Sequence, residues 1–298
     1  MADDLSGLAE KHKDSPDLRR EKKSQRRAKQ RLANVGRAER MHKARLADPE
    51  VGKLPSDLLP ALNIACSGWF YWDWKGKFYP SQLPTSGWFS HYADHFPTVE
   101  LNAPFYAWPT VNTVKTWLRQ AEGKAFVYTV KVSELITHVR QFDDVKGLIE
   151  DFGYIADLLG ERMGCFLFQL PPSFHYSPEN LERIVSQLDY RRRNVVELRH
   201  KSWWDEAVYA AFRQHGIIFC STSGPKLPEE LIKTADEIYV RFHGTEKWYL
   251  HDYTDEELAV WAQKISDSGA SRVWIYFNND YHGYAIKNAN RLMEMLSA

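Results

Sequence analysis

Ile238-Tyr239-Val240-Arg241-Phe242-His243 is a short apolar run that ends with Arg241 and His243. The chain has eight short apolar runs, and each ends in a polar or ionisable residue. They lie a few tens of residues apart, at 62–67, 98–102, 126–131, 166–169, 195–199, 217–221, 238–243 and 273–278. Helical patterns separate most of them, for example over 111–120, 144–159 and 178–188. Because eight strands alternate with helices, the sequence predicts an α/β protein with a (β/α)8 TIM-type barrel.

An open doubly wound sheet is the rival architecture for alternating strands and helices. Its dinucleotide-binding version requires a GxGxxG turn after the first strand, but Cys66-Ser67-Gly68-Trp69 supplies a single glycine there. A GxxxxGK[ST] phosphate loop is also absent from the sequence. Nicotinamide, flavin and P-loop nucleotide cofactors therefore have little support, and the cofactor stays unknown.

The zero net charge hides two unequal parts of the chain. Residues 1–60 hold 15 Lys and Arg against 10 Asp and Glu, whereas residues 61–298 hold 24 against 29. We therefore expect a basic N-terminal extension and linker over 1–60 and a barrel domain over 61–298. The run 19–31 has too few apolar residues to fold alone, which predicts a solvated helix or disorder. It serves either to keep the chain soluble or to bind nucleic acid through residues 19–45.

The carboxyl ends of barrel strands face the substrate, so polar residues concentrated there indicate a site. Eleven polar side chains end the eight runs: Ser67, Glu100, Asn102, Lys131, Gln169, Glu197, Arg199, Ser221, Arg241, His243 and Asn278. Further candidates for ligand contact follow the strands, and they are Trp69, Tyr106, His200, Trp203, Asn279 and Asp280. The sequence thus predicts where the site lies without naming a reaction.

Glu100 and Glu197 form the carboxylate pair available for general acid and base chemistry, and either is a candidate base. His243 is the candidate proton donor. The cations at the same rim suit a phosphate or carboxylate group, and they are Lys131, Arg199 and Arg241. The leading hypothesis is a hydrolase-like enzyme acting on a small anionic or hydroxyl-rich ligand. The alternative is an ion-pair ring, such as Glu197 with Arg241, that holds the barrel closed.

Three other functions stay open. A divalent metal bound by Glu100, Glu197, His243 and Asp280 would give a phosphodiesterase-like protein, but the chain has no HxH or HExxH motif. The basic extension allows a nucleic-acid-binding protein, and a sensor that binds its ligand without turnover is the third. The sequence has no stretch of about 20 apolar residues, so we expect no membrane association and a cytoplasmic protein.

Several ordered motifs resemble the YecE-like family, known as domain of unknown function family 72 (DUF72). They are 66–69, Trp74 with 78–80, 99–102 with 105–106, Lys131 with Thr137-His138, 168–174, 197–200 with 202–203, 240–244, 277–280, and Ala285 with 288–289. The resemblance runs from about residue 64 to 292 and leaves the basic extension outside. It implies a TIM-type barrel, adds His138 as a ligand-contact candidate, and implies no settled activity.

Overall fold

The computed structural model describes residues 16–52 and 59–297. All eight predicted strands are present, as β1 (Leu62–Cys66), β2 (Thr98–Leu101), β3 (Val127–Lys131), β4 (Met163–Gln169), β5 (Asn194–Glu197), β6 (Ile218–Ser223), β7 (Glu237–Phe242) and β8 (Arg272–Phe277). Every paired neighbour is parallel, and the spatial order is β1-β8-β7-β6-β5-β4-β3-β2. The predicted (β/α)8 barrel is confirmed.

The α-helices of the described residues are α1 (Pro16–Ala47), α2 (Trp88–His95), α3 (Ala103–Tyr106), α4 (Val111–Gln120), α5 (Lys146–Leu159), α6 (Pro178–Gln187), α7 (Glu206–His215), α8 (Asp255–Asp267) and α9 (Tyr284–Ser297). Sequence signals set several of their ends. Thr254 and Glu257 form a capping box at the start of α8. Ser177 caps α6 through the Asn180 amide, and a proline opens the helix. The connection 224–236 between β6 and β7 contains no helix.

Side chains close the barrel where β1 meets β2. These two strands end the hydrogen-bonded order, and no ladder joins them among the described residues. Ser67 Oγ donates to Glu100 Oε1 at 2.7 Å, and Asn102 Nδ2 donates to the Ser67 carbonyl at 3.3 Å. The predicted strand ends Ser67, Glu100 and Asn102 therefore come together at this seam.

Polar and aromatic side chains fill the interior of the barrel, rather than branched apolar residues alone. The Tyr276 hydroxyl on β8 lies 2.8 Å from Thr98 Oγ1 on β2 and 2.9 Å from Thr129 Oγ1 on β3. Trp274 occupies the layer below, where a Cβ on Gly164 would lie 3.0 Å from the indole. Glycine at this position therefore leaves room for the tryptophan.

Helix α1 packs against the outside of the barrel through its part from Asn34 onward, whereas residues 20–29 of the basic run form an exposed helix, as the sequence predicted. Ala38 and Met41 are buried, and Asn34 is fully buried between the backbone of Tyr106 and Trp108. Further along α1, Arg45 Nε donates to Asp151 Oδ1 at 2.9 Å. Residues 1–15 of the extension lie outside the described residues, as do 53–58 of the linker. None of the described helices combines the length and apolarity that crossing a membrane requires.

Candidate functional site

A buried guanidinium lies at the centre of the barrel mouth. Arg241 on β7 donates through Nη2 to Glu100 Oε1 at 2.6 Å and through Nη1 to Glu197 Oε2 at 2.5 Å. All three side chains are fully buried. Tyr239, two residues before Arg241, donates to Glu100 Oε2 at 2.5 Å. The two carboxylates therefore flank one cation, and we call Glu100, Arg241 and Glu197 the ionic layer.

Glu197 is held as an anion. Its other oxygen, Oε1, accepts from Arg199 Nε at 2.6 Å and lies 3.3 Å from His243 Nε2. Burial opposes ionisation, but Arg199 and Arg241 outweigh it and keep the Glu197 pKa well below its usual range. A carboxylate so stabilised is a weak base, so the ionic layer orients its neighbours better than it moves protons.

Arg199 and His243 lie above the ionic layer. The Arg199 guanidinium lies 4.7 Å from the ring centre of Trp248, in a cation–π contact. His243 is fully buried and approaches Asn278 Nδ2 through Nδ1 at 3.2 Å. Burial and the Arg241 charge lower the His243 pKa to about 3. His243 is therefore neutral at neutral pH and is a poor proton donor, in contrast to the role that the sequence suggested.

Lys131, another basic residue of the mouth, has an amide as its hydrogen-bond partner instead of a carboxylate. Its Nζ donates to Gln169 Oε1 at 2.8 Å and lies 4.4 Å from the Phe105 ring centre. Burial and repulsion by Arg241 lower the Lys131 pKa to about 7. Both the charged and the neutral amine are thus available near neutral pH, which suits a group that binds an anion or transfers a proton.

The opposite side of the mouth, where β1, β2 and β8 end, presents acceptor oxygens. Tyr71 donates to the Ser67 carbonyl at 2.6 Å. Asn102 Oδ1 and Asp280 Oδ1 are buried and have no hydrogen-bond partner among the described residues. Burial raises the Asp280 pKa to about 7 and that of Tyr71 well above its usual range. The mouth therefore has a cationic side with Lys131 and an acceptor side with two unpaired oxygens.

Three sequence candidates lie outside this network. Trp203 is fully buried and donates to the Phe174 carbonyl at 2.7 Å, which is a packing role. His200 Nδ1 contacts Ser202 Oγ at 2.8 Å. Asn279 Nδ2 donates to Asn288 Oδ1 at 2.8 Å and so ties the end of β8 to α9.

Three further candidates lie at the rim. Trp69 packs edge-on against Phe89 on α2. Tyr106 is 53% exposed. His138, suggested by the family resemblance, packs edge-on against Phe105, the ring that Lys131 contacts. Burial and the Lys131 charge lower the His138 pKa to about 4. His138 therefore belongs to the cationic side as a neutral group.

The four residues suggested as metal ligands do not come together as one ligand set. Arg241 lies between Glu100 and Glu197 and takes an oxygen of each. Across residues 16–52 and 59–297, no group of three or more His, Cys, Asp or Glu side chains is arranged to hold a metal. The guanidinium occupies the position where a metal would bridge the two carboxylates.

The family model described as protein of unknown function DUF72 matches residues 63–298. The chain belongs to the DUF72 family. UPF0759 protein YunF of Bacillus subtilis is 26% identical over 274 residues, which cover 79% of this chain and 94% of YunF. UPF0759 protein YecE of Escherichia coli is 26% identical over 205 residues, which cover 59% of this chain and 72% of YecE.

A solved DUF72 structure shows the same fold. The crystal structure of a DUF72 family protein from Thermotoga maritima matches with a TM-score of 0.73 and 31% identity, over 80% of this chain and 100% of that chain. The DUF72 model begins at residue 63, so helix α1 precedes the matched region. Its contacts with the barrel are therefore features of this chain beyond the family model.

Sequence reasoning left Tyr239 and Tyr71 out of the candidates for this DUF72 mouth, and it named Trp248 only as one of several loop aromatics. Tyr239 has the same strand parity as Arg241 and His243, and this alternation was the signal that could have placed it inside the barrel. Trp248 and Tyr71 come from connections, where sequence gives no period to follow. Only the folded chain shows that Trp248 covers Arg199.

Proposed function

We propose that this DUF72 protein is an enzyme that binds a small ligand carrying both an anionic group and a hydroxyl or amine. The division of the mouth into a cationic and an acceptor side carries the proposal. Arg199 receives the anionic group, and the unpaired oxygens of Asn102 and Asp280 receive the hydrogen-bond donor. The coarse reaction class is hydrolase-like acid–base chemistry.

Lys131 and Asp280 are the proton-transfer groups in this proposal. Both have a pKa of about 7, so a neutral amine and a protonated carboxyl coexist near neutral pH. A general base and a general acid work best when each pKa lies near the operating pH. Glu100, Arg241 and Glu197 are positioning residues below them, and neutral His243 is a hydrogen-bonding group.

The experiment is a turnover screen with p-nitrophenyl phosphates, carboxylate esters and glycosides, followed by a pH profile of kcat/KM on any hit. We expect a bell-shaped profile centred near pH 7. Lys131→Met should remove the rising limb, and Asp280→Asn should remove the falling limb. Lys115→Met, on the exposed surface of α4, is the matched control.

A flat profile, or equal effects of Lys131→Met and Lys115→Met, would overturn the assignment. Binding of a panel member without product, followed by calorimetry and mass spectrometry, would instead support the non-catalytic sensor.

We also propose that the protein works in the cytoplasm. Cys66, Cys165 and Cys220 are free and buried, as is usual in a reducing compartment. Fractionation of cells that make the full chain tests this: recovery with a periplasmic or secreted marker would contradict it.

A further inference from the structure

The N-terminal part of α1 forms a strongly basic surface beside the barrel mouth. Residues 19–31 contain eight Lys and Arg against one Glu. Residues 20–29 are all exposed. Among α1 residues, the buried ones begin only at Asn34, so this segment is available to a partner.

Contacts lower on α1 fix where this segment lies. Arg27 and Arg31 both donate to Glu134, at 2.8 and 3.1 Å, and Glu134 follows β3 at the carboxyl end of the barrel. At the other end of the helix, the Tyr154 hydroxyl on α5 donates to Asp48 at 2.6 Å. Helix α1 therefore descends from the mouth, and residues 16–26 extend about 15 Å beyond the rim at 1.5 Å per residue.

Helical periodicity sets which side chains face the mouth. Arg27, Arg31 and Asn34 face the barrel, as their contacts show. Arg20 and Lys23 precede Arg27 by seven and four residues, so they continue the same stripe above the rim. Arg20 lies 4.0 Å from the Asp17 carboxylate, and both side chains are almost fully exposed, so this pair is weak.

We propose that Arg20 and Lys23, together with Tyr106 beside Arg27 lower on the same helix face, form a binding surface for single-stranded nucleic acid. The cations follow the phosphates, and the Tyr106 ring offers a face on which a base stacks. Tyr106 is 53% exposed, and the Arg27 guanidinium lies 5.9 Å from its ring centre. This surface does not depend on the reaction proposed for the mouth.

A lipid membrane fits the same surface less well. Amphipathic helices that bind membranes present an apolar face. Among the described side chains of residues 17–34, Leu18 and Leu32 are the large apolar ones that are exposed, and about four helical turns separate them, so they form no continuous apolar face. Charge without an apolar face favours a hydrated polyanion, and the exposed aromatic ring favours one that carries bases.

Fluorescence anisotropy of the full chain with labelled oligo-dT and oligo-U of about twelve nucleotides tests the proposal, between about 50 and 200 mM NaCl. The double variant Arg20→Gln/Lys23→Gln should lower the slope of log affinity against log salt by about 1.4, because each lost phosphate contact removes about 0.7. Tyr106→Ala should weaken binding about tenfold and leave the slope unchanged.

Arg40→Gln/Lys43→Gln is the matched control, since it removes the same charge from exposed positions lower on the same helix. It should leave the slope unchanged. The proposal fails if the full chain binds neither oligonucleotide, or if both double variants lower the slope equally. It also fails if poly-glutamate or anionic vesicles bind as tightly and with the same dependence on Arg20 and Lys23.

Discussion

Two polar layers lie one above the other inside the barrel, and they differ in kind. The lower one is neutral, with the Tyr276 hydroxyl 2.8 Å from Thr98 and 2.9 Å from Thr129. The upper one is the ionic layer, Glu100–Arg241–Glu197. All six side chains have no exposed surface. The two layers are therefore equally buried inside the same barrel, and they differ in that only the upper one is charged.

Because its members are charged, the ionic layer adds little to the free energy of unfolding. Removing ions from water costs several kcal/mol per ion, and their mutual attraction repays this only when every partner is present. A neutral hydroxyl layer has a much smaller cost. The ionic layer lies directly beneath Arg199 and His243, so its use is to orient the mouth and set the pKa values there.

The largest expected effect comes from removing the shared cation. Arg241→Met leaves Glu100 and Glu197 buried beside each other, which should lower the free energy of unfolding by about 3–5 kcal/mol. Urea denaturation measures this loss. The double variant Glu100→Gln/Arg241→Met should recover part of the stability, because Glu197 keeps Arg199 as its cationic partner and Glu100 no longer carries a charge. A single variant as stable as the wild type would contradict the comparison.

The second-largest effect should be on the pH dependence of stability, through Asp280, a buried carboxyl that has no arginine partner in the ionic layer. Burial raises the Asp280 pKa from 3.8 to about 7, so the folded state holds a proton that the unfolded state releases between those values. The contribution of Asp280 to stability should therefore fall as pH rises from about 4 to 7, by at most about 4 kcal/mol at 1.4 kcal/mol per unit. His243 and His138, whose pKa values are lowered to about 3 and 4, change stability in the opposite direction, so the Asp280 contribution is read from the difference between wild type and variant.

Asp280→Asn should remove that fall, and the difference between variant and wild type should be pH-independent below about pH 4. Denaturation at a series of pH values measures it. Asp205→Asn, an exposed control, should retain the wild-type slope. A wild-type slope in Asp280→Asn would show that Asp280 titrates normally.

The sequence predicted the barrel because strand burial is a local, periodic property. Residues such as Tyr239, Arg241 and His243 alternate inward along β7, and the apolar residues between them mark the strand. The pattern of strand ends therefore identified all three residues of the ionic layer. The ion pair between Arg241 on β7 and Glu100 on β2 forms only because the sheet closes into a barrel. A local sequence pattern does not show which strands closure brings together.

The sequence did not predict how α1 docks. Its basic run is typical of a solvated segment. The buried face that docks on the barrel consists of Asn34, Ala38 and Met41, and one polar residue with two apolar ones gives only a weak sequence signal. Arg27 and Arg31 find a partner in Glu134, more than a hundred residues away. Nor does the sequence show that Lys131 donates to the Gln169 amide instead of to a carboxylate. That outcome depends on the three-dimensional positions of Glu100 and Glu197, which pair with Arg241.

Glu134, which binds α1, is a buried carboxylate whose partners are on the surface. Its side chain is 1% exposed, whereas those of Arg27 and Arg31 are 42% and 45% exposed. Arg27→Met/Arg31→Met should cost about 1–2 kcal/mol, less than Arg241→Met, because water can reach the rim. Denaturation compared with Arg40→Met/Lys43→Met measures it. A loss equal to that of Arg241→Met would mean that partner exposure does not matter.

The smallest effect should come from the neutral layer. Tyr276→Phe removes one hydroxyl, but Thr98 still donates to the Val127 carbonyl and Thr129 still accepts from the Cys165 amide. We expect a loss of about 1 kcal/mol, with no change in the pH dependence of stability. Urea denaturation at two pH values checks both parts. If Tyr276→Phe destabilised the barrel as much as Arg241→Met, closure of the hydroxyl layer, and not burial of charge, would limit the stability of this interior.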